Sequence, residues 1–263
     1  MPDTAFTYAI LFASAFAAGV MNSIAGGGTL LTFPALLAAL GPGGAALANA
    51  TSTVALLPGS VASVWGYRED LTVNRQFAIR LLPVSLVGGL LGSLLLIWFP
   101  QEFESLVPWL ILTAAVLFLV QPLVSRLIRR QQTAAPTNPD SEATPSLPAH
   151  LLAFQFLVAV YGGYFGAGIG ILMLTALGFM QIGNIHRMNA VKTLLAAAIN
   201  TVSVIVFIGD GLVNWPYAGV MAVAAILGGY AGARVARRLP AYVVRWVVIA
   251  IGFGLAGYFA ITR

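Results

Sequence analysis

Asn22-Ser23-Ile24-Ala25-Gly26-Gly27-Gly28-Thr29, followed by the apolar run Leu30 to Leu40, decides how the rest of this chain must fold. Three consecutive glycines separate two segments that otherwise read as helices. Glycine in a helix interior costs about 1 kcal/mol against alanine, so three in a row predict a break. The break lies deep in apolar sequence, where freed backbone groups have no water to bond. Such breaks persist in a membrane only where protein or a wet cavity satisfies those groups.

The surrounding composition sets that environment. Of 263 residues, 59% are hydrophobic and 8% charged, against about 25% charged in soluble proteins. The mean hydropathy is +0.92. Apolar runs near the length of a bilayer crossing alternate with short polar loops, which predicts an all-α polytopic membrane protein of the cell membrane. The pI is near 9.9, but the basic residues are dispersed at segment ends with no basic face, which argues against a nucleic-acid partner. No cysteine is present, so thiol chemistry, disulfides and cysteine-ligated metals are excluded. No His/Asp/Glu cluster has catalytic or metal-ligand spacing, so no enzyme, cofactor or metal is expected. The N-terminus lacks a basic region and cleavage site, so the first apolar segment is expected to be retained.

In order, the expected spans are Ala5 to Ile24, the short arm Leu30 to Leu40, Ala46 to Tyr67, Phe77 to Phe99 and Leu106 to Val124. Arg126 to Ala149, rich in Pro, Ser and Thr, reads as a flexible solvated linker. The second half repeats the plan. Leu151 to Phe165 is broken at Gly166-Ala167-Gly168-Ile169-Gly170, and Ile171 to Met180 is a second arm. Three spans follow: Met188 to Ile208, Trp215 to Val235 and Tyr242 to Ile261. The organisation is therefore a first membrane repeat (1–125), a cytoplasmic linker (126–149) and a second repeat (150–263).

The halves align. Gly26-Gly27-Gly28-Thr29-Leu30 lies over Gly168-Ile169-Gly170-Ile171-Leu172 at an offset of 142, and Asn49-Ala50-Thr51 over Asn189-Ala190-Val191 at 140. The offset of 140 also pairs Asp70 with Asp210, Gly88-Gly89-x-x-Gly92 with Gly228-Gly229-x-x-Gly232, and Pro100 with Pro240. Two residues are thus expected to be lost between the second arm and its following span. Arg68, Arg75 and Arg80 place one loop in the cytoplasm, whereas the Asp210 loop has no basic residue and is placed outside. Arg126, Arg129 and Arg130 put the linker inside, as Arg187 and Lys192 do the second arm's loop. Equivalent loops thus fall on opposite sides. This is an inverted-topology repeat, each half a broken helix pair (a re-entrant arm) plus three transmembrane helices, as in secondary transporters.

Two breaks of opposite orientation are expected to meet near the midplane, where helix N-termini attract anions. The alternative, glycines that serve only close packing, is disfavoured by the symmetry of the breaks. The expected substrate contacts are Asn22, Ser23, Gly26, Gly27, Gly28 and Thr29 at the first break. The second break contributes Gly166, Gly168 and Gly170. Asn49, Thr51 and Asn189 stand near span starts, where interhelical bonding is the competing role. Lys192 lies about five residues into an apolar span, and an intramembrane cation points to function. Its competing role is snorkelling to the surface. All eight carboxylates fall in expected loops or tails, which disfavours cation transport and a carboxylate proton relay. Gly88-Gly89-x-x-Gly92 and its second-half equivalent read as packing faces.

The run Asn22 to Pro34, the later Ala48-Asn49-Ala50-Thr51, and Gly163-x-Phe165-Gly166-x-Gly168-x-Gly170 resemble the sulfite exporter TauE/SafE family (TSUP). The resemblance covers nearly the whole chain, though Ile169 stands where the family commonly has a third glycine. It implies a permease for sulfite, sulfonates or other small organic anions, with contacts from both glycine motifs and the Asn-bearing helix starts. The expected partners are a small sulfur-containing or organic anion and the lipid bilayer, with a homo-oligomer left open. The readings that compete with a transporter are an anion channel with the same site and a membrane scaffold or assembly factor.

Overall fold

Long apolar runs without water partners for their backbone must bond internally, and the chain obeys this by folding into helices. The computed structural model describes residues 4–24, 27–73, 75–134, 148–180 and 185–235, with isolated positions between 246 and 257. Gly26, the centre of the expected linker and most of the expected last span lie outside the described residues. Ten helices are described: α1 (Thr4–Ile24), α2 (Thr29–Leu40), α3 (Ala45–Gly66), α4 (Arg68–Val73), α5 (Arg75–Trp98), α6 (Pro100–Ala134), α7 (Ala149–Tyr164), α8 (Ile169–Phe179), α9 (Ile185–Gly209) and α10 (Trp215–Val235). Among the described residues there is no strand.

Five of these, α1, α3, α5, α6 and α9, are long and apolar enough to cross a membrane. Their outward faces carry large apolar side chains: Val87 of α5 is 59% exposed and Ile205 of α9 66%. In water such a surface would demand a partner; here it is the face that meets lipid. The protein is an all-α, multi-pass membrane protein. The arms α2 and α8, of 12 and 11 residues, reach roughly 17–18 Å, little more than half of a ~30 Å hydrocarbon core.

Two expectations change. Helix α6 continues to Ala134, so the first part of the expected linker, from Arg126, is helical rather than flexible. Its N-terminal end also extends further, and Glu102 and Glu104 stand in its first turns, where the helix dipole favours acidic side chains. The offset of 142 at the breaks is also corrected. Helices α1 and α7 end at Ile24 and Tyr164, α2 and α8 begin at Thr29 and Ile169, and α3 and α9 begin at Ala45 and Ile185. Each pair is 140 residues apart, and no residues are lost. Matching glycine to glycine misled the alignment. The backbone matches N-cap to N-cap, so Gly28 corresponds to Gly168.

The packing exchanges under the same shift. Helix α1 lies along α10 and α7 along α5, while α3 and α9 pack on each other at the centre. The glycine-rich faces set these crossings. A Cβ at Gly228 would strike the carbonyl oxygen of Phe16, and one at Gly88 would stand 2.8 Å from that of Phe156, the residue 140 positions on from Phe16. A Cβ at Gly92 would strike the Val160 carbonyl, and one at Gly19 that of Ala225. The glycines therefore bring backbones into contact, as small residues do where lipid offers no hydrophobic drive for helix association.

Gly92→Val and Gly228→Val should each destabilise the protein by more than the ~1–3 kcal/mol of ordinary overpacking, because the obstacle is backbone. Gly219→Ala on α10, where a Cβ meets nothing within 4 Å, should leave stability unchanged. Thermal unfolding of the purified variants in detergent checks the contrast.

Candidate functional site

The breaks bring their freed groups to specific partners. At the first, Gly27 has φ +93° and Gly28 caps α2. The Gly28 N–H donates to Asn22 Oδ1 at 2.8 Å. Thr32 Oγ1 lies 3.3 Å from the Gly28 carbonyl and 2.6 Å from Ser52 Oγ on α3. At the second break, Gly166 and Gly168 both have φ +78°, a conformation that glycine adopts without a steric penalty. Tyr161 donates its hydroxyl to the Ala167 carbonyl at 2.6 Å, and Asn49 Nδ2 donates to the Tyr164 carbonyl at 3.1 Å.

Between the breaks and the two central helices is a cavity of about 190 Å³. It is smaller than the roughly 300–1,000 Å³ of drug-sized pockets. The breaks contribute Asn22, Gly27, Gly28, Thr29, Gly166 and Gly170, and α9 contributes Asn189 and Lys192. Eight of the expected contact residues are thus brought together. The cavity extends along one face of α3, past Thr53, Ser60 and Ser63, to the C-cap residue Tyr67. Thr193 and Asn200 of α9 also line it. These hydroxyls were missed as site residues. Their spacing from Asn49 and Asn189 along one helical face was the available signal.

Other expected contacts lie elsewhere. Asn49 and Thr51 are buried away from the cavity lining. Asn49 secures the end of α7, and Thr51 Oγ1 accepts the Asn214 N–H at 3.0 Å. Both therefore make interhelical bonds, the competing role for polar groups in such helices. Gly168 caps α8 and faces Leu117, to which a Cβ would stand at 3.2 Å. Gly26 is outside the described residues, and so is the side chain of Ser23.

The cavity is asymmetric in charge. Lys192 Nζ donates to Asn189 Oδ1 at 2.9 Å. An ammonium has three protons to donate, so two remain for a ligand. The lining residues include no Asp or Glu. Space for the lysine comes from Gly170, where a Cβ would sit 3.6 Å from Lys192 Cδ. The corresponding pair in the first half is Leu30, fully buried, and Ser52, bonded to Thr32. Asn22 corresponds to Gly162, where a Cβ would strike the Ile169 side chain. One half therefore offers a capped helix start and the other a lysine beside a helix start. Among the described residues no cluster has the composition of a metal site.

Fold and cavity define a polytopic membrane protein with a small central cavity lined by a lysine and no carboxylate. The family profile described as sulfite exporter TauE/SafE matches residues 11–259, and the chain belongs to this family of membrane transporters. It is 28% identical over 260 residues to a probable membrane transporter protein, ORF9, of Sinorhizobium, covering 97% of this chain and 94% of the relative. It is 29% identical over 250 residues to a probable membrane transporter protein of Haemophilus influenzae, with 93% and 91% covered. Identity to the probable membrane transporter protein YfcA of Escherichia coli is 28% over 249 residues, with 92% and 85% covered. No solved structure matches the chain.

Gly28→Ala should destabilise the first break, because its Cβ would stand 2.8 Å from the Ala18 carbonyl oxygen and 3.1 Å from Asn22 Oδ1. Gly170→Ala meets only ordinary contact and should fold normally while narrowing the cavity beside Lys192. Thermal stability and ligand affinity, measured together, should separate the two: stability falls in the first variant, affinity alone in the second.

Proposed function

We propose that this transporter moves a small oxyanion, a sulfite, sulfonate or related small organic anion, bound at Lys192 between the starts of α2 and α8. The observation that carries the reading is Lys192 itself, held by Asn189 in a cavity of about 190 Å³ with no lining carboxylate. A cation in that position lacks a counter-ion of its own and favours an anionic ligand. The Ile169 and Ile171 N–H groups at the start of α8 donate to the Gly166 and Gly168 carbonyls, and the Gly170 N–H, on the cavity wall beside Lys192, adds a donor for the same charge. The family name and the resemblance of the glycine motifs supply the sulfur-oxyanion class. Catalysis has no support in the lining residues.

The transport mode we infer is alternating access of two inverted halves. Helix boundaries that recur after 140 residues, packing partners that exchange under the same shift, and the opposed placement of basic loops support it. The cavity reaches Tyr67, at the Arg68 end that the basic residues assign to the cytoplasm. Release outward needs no coupling ion, since an inside-negative potential contributes about 2.3 kcal/mol per charge per 100 mV.

Purified protein in proteoliposomes should carry sulfite or a sulfonate from a panel of sulfite, sulfoacetate, taurine, sulfate and acetate. Flux should saturate and be stimulated by anion on the opposite side, which a channel does not show. Lys192→Gln should lower that flux about tenfold to a hundredfold at normal expression, the scale of one charged hydrogen bond. Wild-type flux in the variant, or uptake of cations without anions, would sink the proposal.

A further inference from the structure

Three buried side-chain polar atoms lack a hydrogen-bond partner among the described residues: Asn49 Oδ1, Ser203 Oγ and Gln155 Oε1. Leaving such an atom unpaired costs about 1–3 kcal/mol, so each calls for an explanation. Two of the three are related by the internal shift of 140 to residues that line the open cavity. Asn49 corresponds to Asn189, and Ser203 to Ser63. The stripe Thr53, Ser60, Ser63, Tyr67 on α3 becomes Thr193, Asn200, Ser203, Phe207 on α9. Its first two members line the cavity, whereas Ser203 and Phe207, at 1% and 0% exposure, are shut in.

We propose that Asn49, Ser52 and Ser203 line the second leg of the substrate path, the one that opens at the opposite end of the protein from Tyr67, and that Phe207 closes it. The inference rests on the transporter reading above. In the conformation described, this leg is sealed. Asn49, Ser52, Ser203 and Phe207 are all buried. Phe33 packs edge-on to Phe165 at 5.3 Å, and Phe103 to Tyr164 at 5.1 Å, beside the end of α7 that Asn49 holds. Two ties span the same end of α3. The Asn214 N–H donates to Thr51, and the Gly43 N–H donates to Glu104 Oε1 at 2.8 Å.

The unpaired oxygens then have a physical account. They are acceptors for substrate or water in the other conformation and are buried at a cost in this one. Asn49 is an interhelical bond here and a path residue there, as its counterpart Asn189 is here. The positions that differ between the legs carry the asymmetry. Ser52 stands in place of Lys192 and Phe207 in place of Tyr67, so the second leg holds the anion less tightly and closes with a ring that has no hydroxyl.

The chain contains no cysteine, so single cysteines can be introduced without other changes. Ser63→Cys and Ser203→Cys, each in oriented proteoliposomes, are exposed to a membrane-impermeant thiosulfonate from one side at a time. The proposal predicts that Ser63→Cys reacts from the side bearing Arg68 and Ser203→Cys only from the opposite side. Reaction of both from the same side, or of Ser203→Cys from neither while Ser63→Cys reacts, would overturn it. If Ser203→Cys does not fold, Asn49→Cys is judged by the same criteria. Sulfite flux in the same vesicles reports on the site separately. Flux with no opposite-side labelling defeats this inference alone, and opposite-side labelling with no anion flux defeats the substrate reading alone.

Discussion

A backbone N–H or C=O freed inside a bilayer has no water to bond, and this constraint organises the molecule. Breaking two helices in apolar sequence releases such groups, and each described partner at the breaks answers one of them. Asn22 accepts from Gly28, Tyr161 donates to the Ala167 carbonyl, and Asn49 donates to the Tyr164 carbonyl. The helix starts that remain point into a polar cavity. A polar cavity is thus a consequence of how the broken helices are stabilised, and the glycines are needed for backbone geometry and for close approach alike.

The two halves solve the same problem with different residues, and the difference puts a lysine on one side of the cavity. In the first half Leu30 fills the space beneath α2, and Ser52 bonds to Thr32. In the second, Gly170 leaves room for Lys192, which Asn189 orients. Helices whose boundaries recur after 140 residues therefore carry different side chains around one cavity. The difference extends along α3 and α9: Ser60 and Ser63 line the cavity, while Ser203 is buried with its hydroxyl unpaired among the described residues.

Much of this was legible in the sequence. Apolar run lengths gave the helices, and the triple glycine gave the break. An isolated lysine in apolar sequence marked the cavity. What failed to show had physical causes. Residue identity placed Gly28 opposite Gly170, because glycine recurs for different reasons: capping at Gly28 and Gly168, room for a side chain at Gly170. Asn49 and Asn189 look alike in sequence, and only packing shows that one is buried and the other lines the cavity. The hydroxyls of Thr53, Ser60 and Ser63 were hidden because each is satisfied within its own helix, as serine and threonine commonly are, by the carbonyls of Asn49, Leu56 and Gly59. The helical start of the linker was masked by its polar composition.

On the proposed reading, an oxyanion binds at Lys192 between two broken helices. Anomalous diffraction from crystals grown with 2-bromoethanesulfonate tests it most directly. A bromine peak is expected inside the cavity bounded by Gly28, Gly170 and Lys192, lost in Lys192→Gln crystals under the same conditions. A peak confined to the protein surface, or a cavity peak of equal height in the variant, would contradict it.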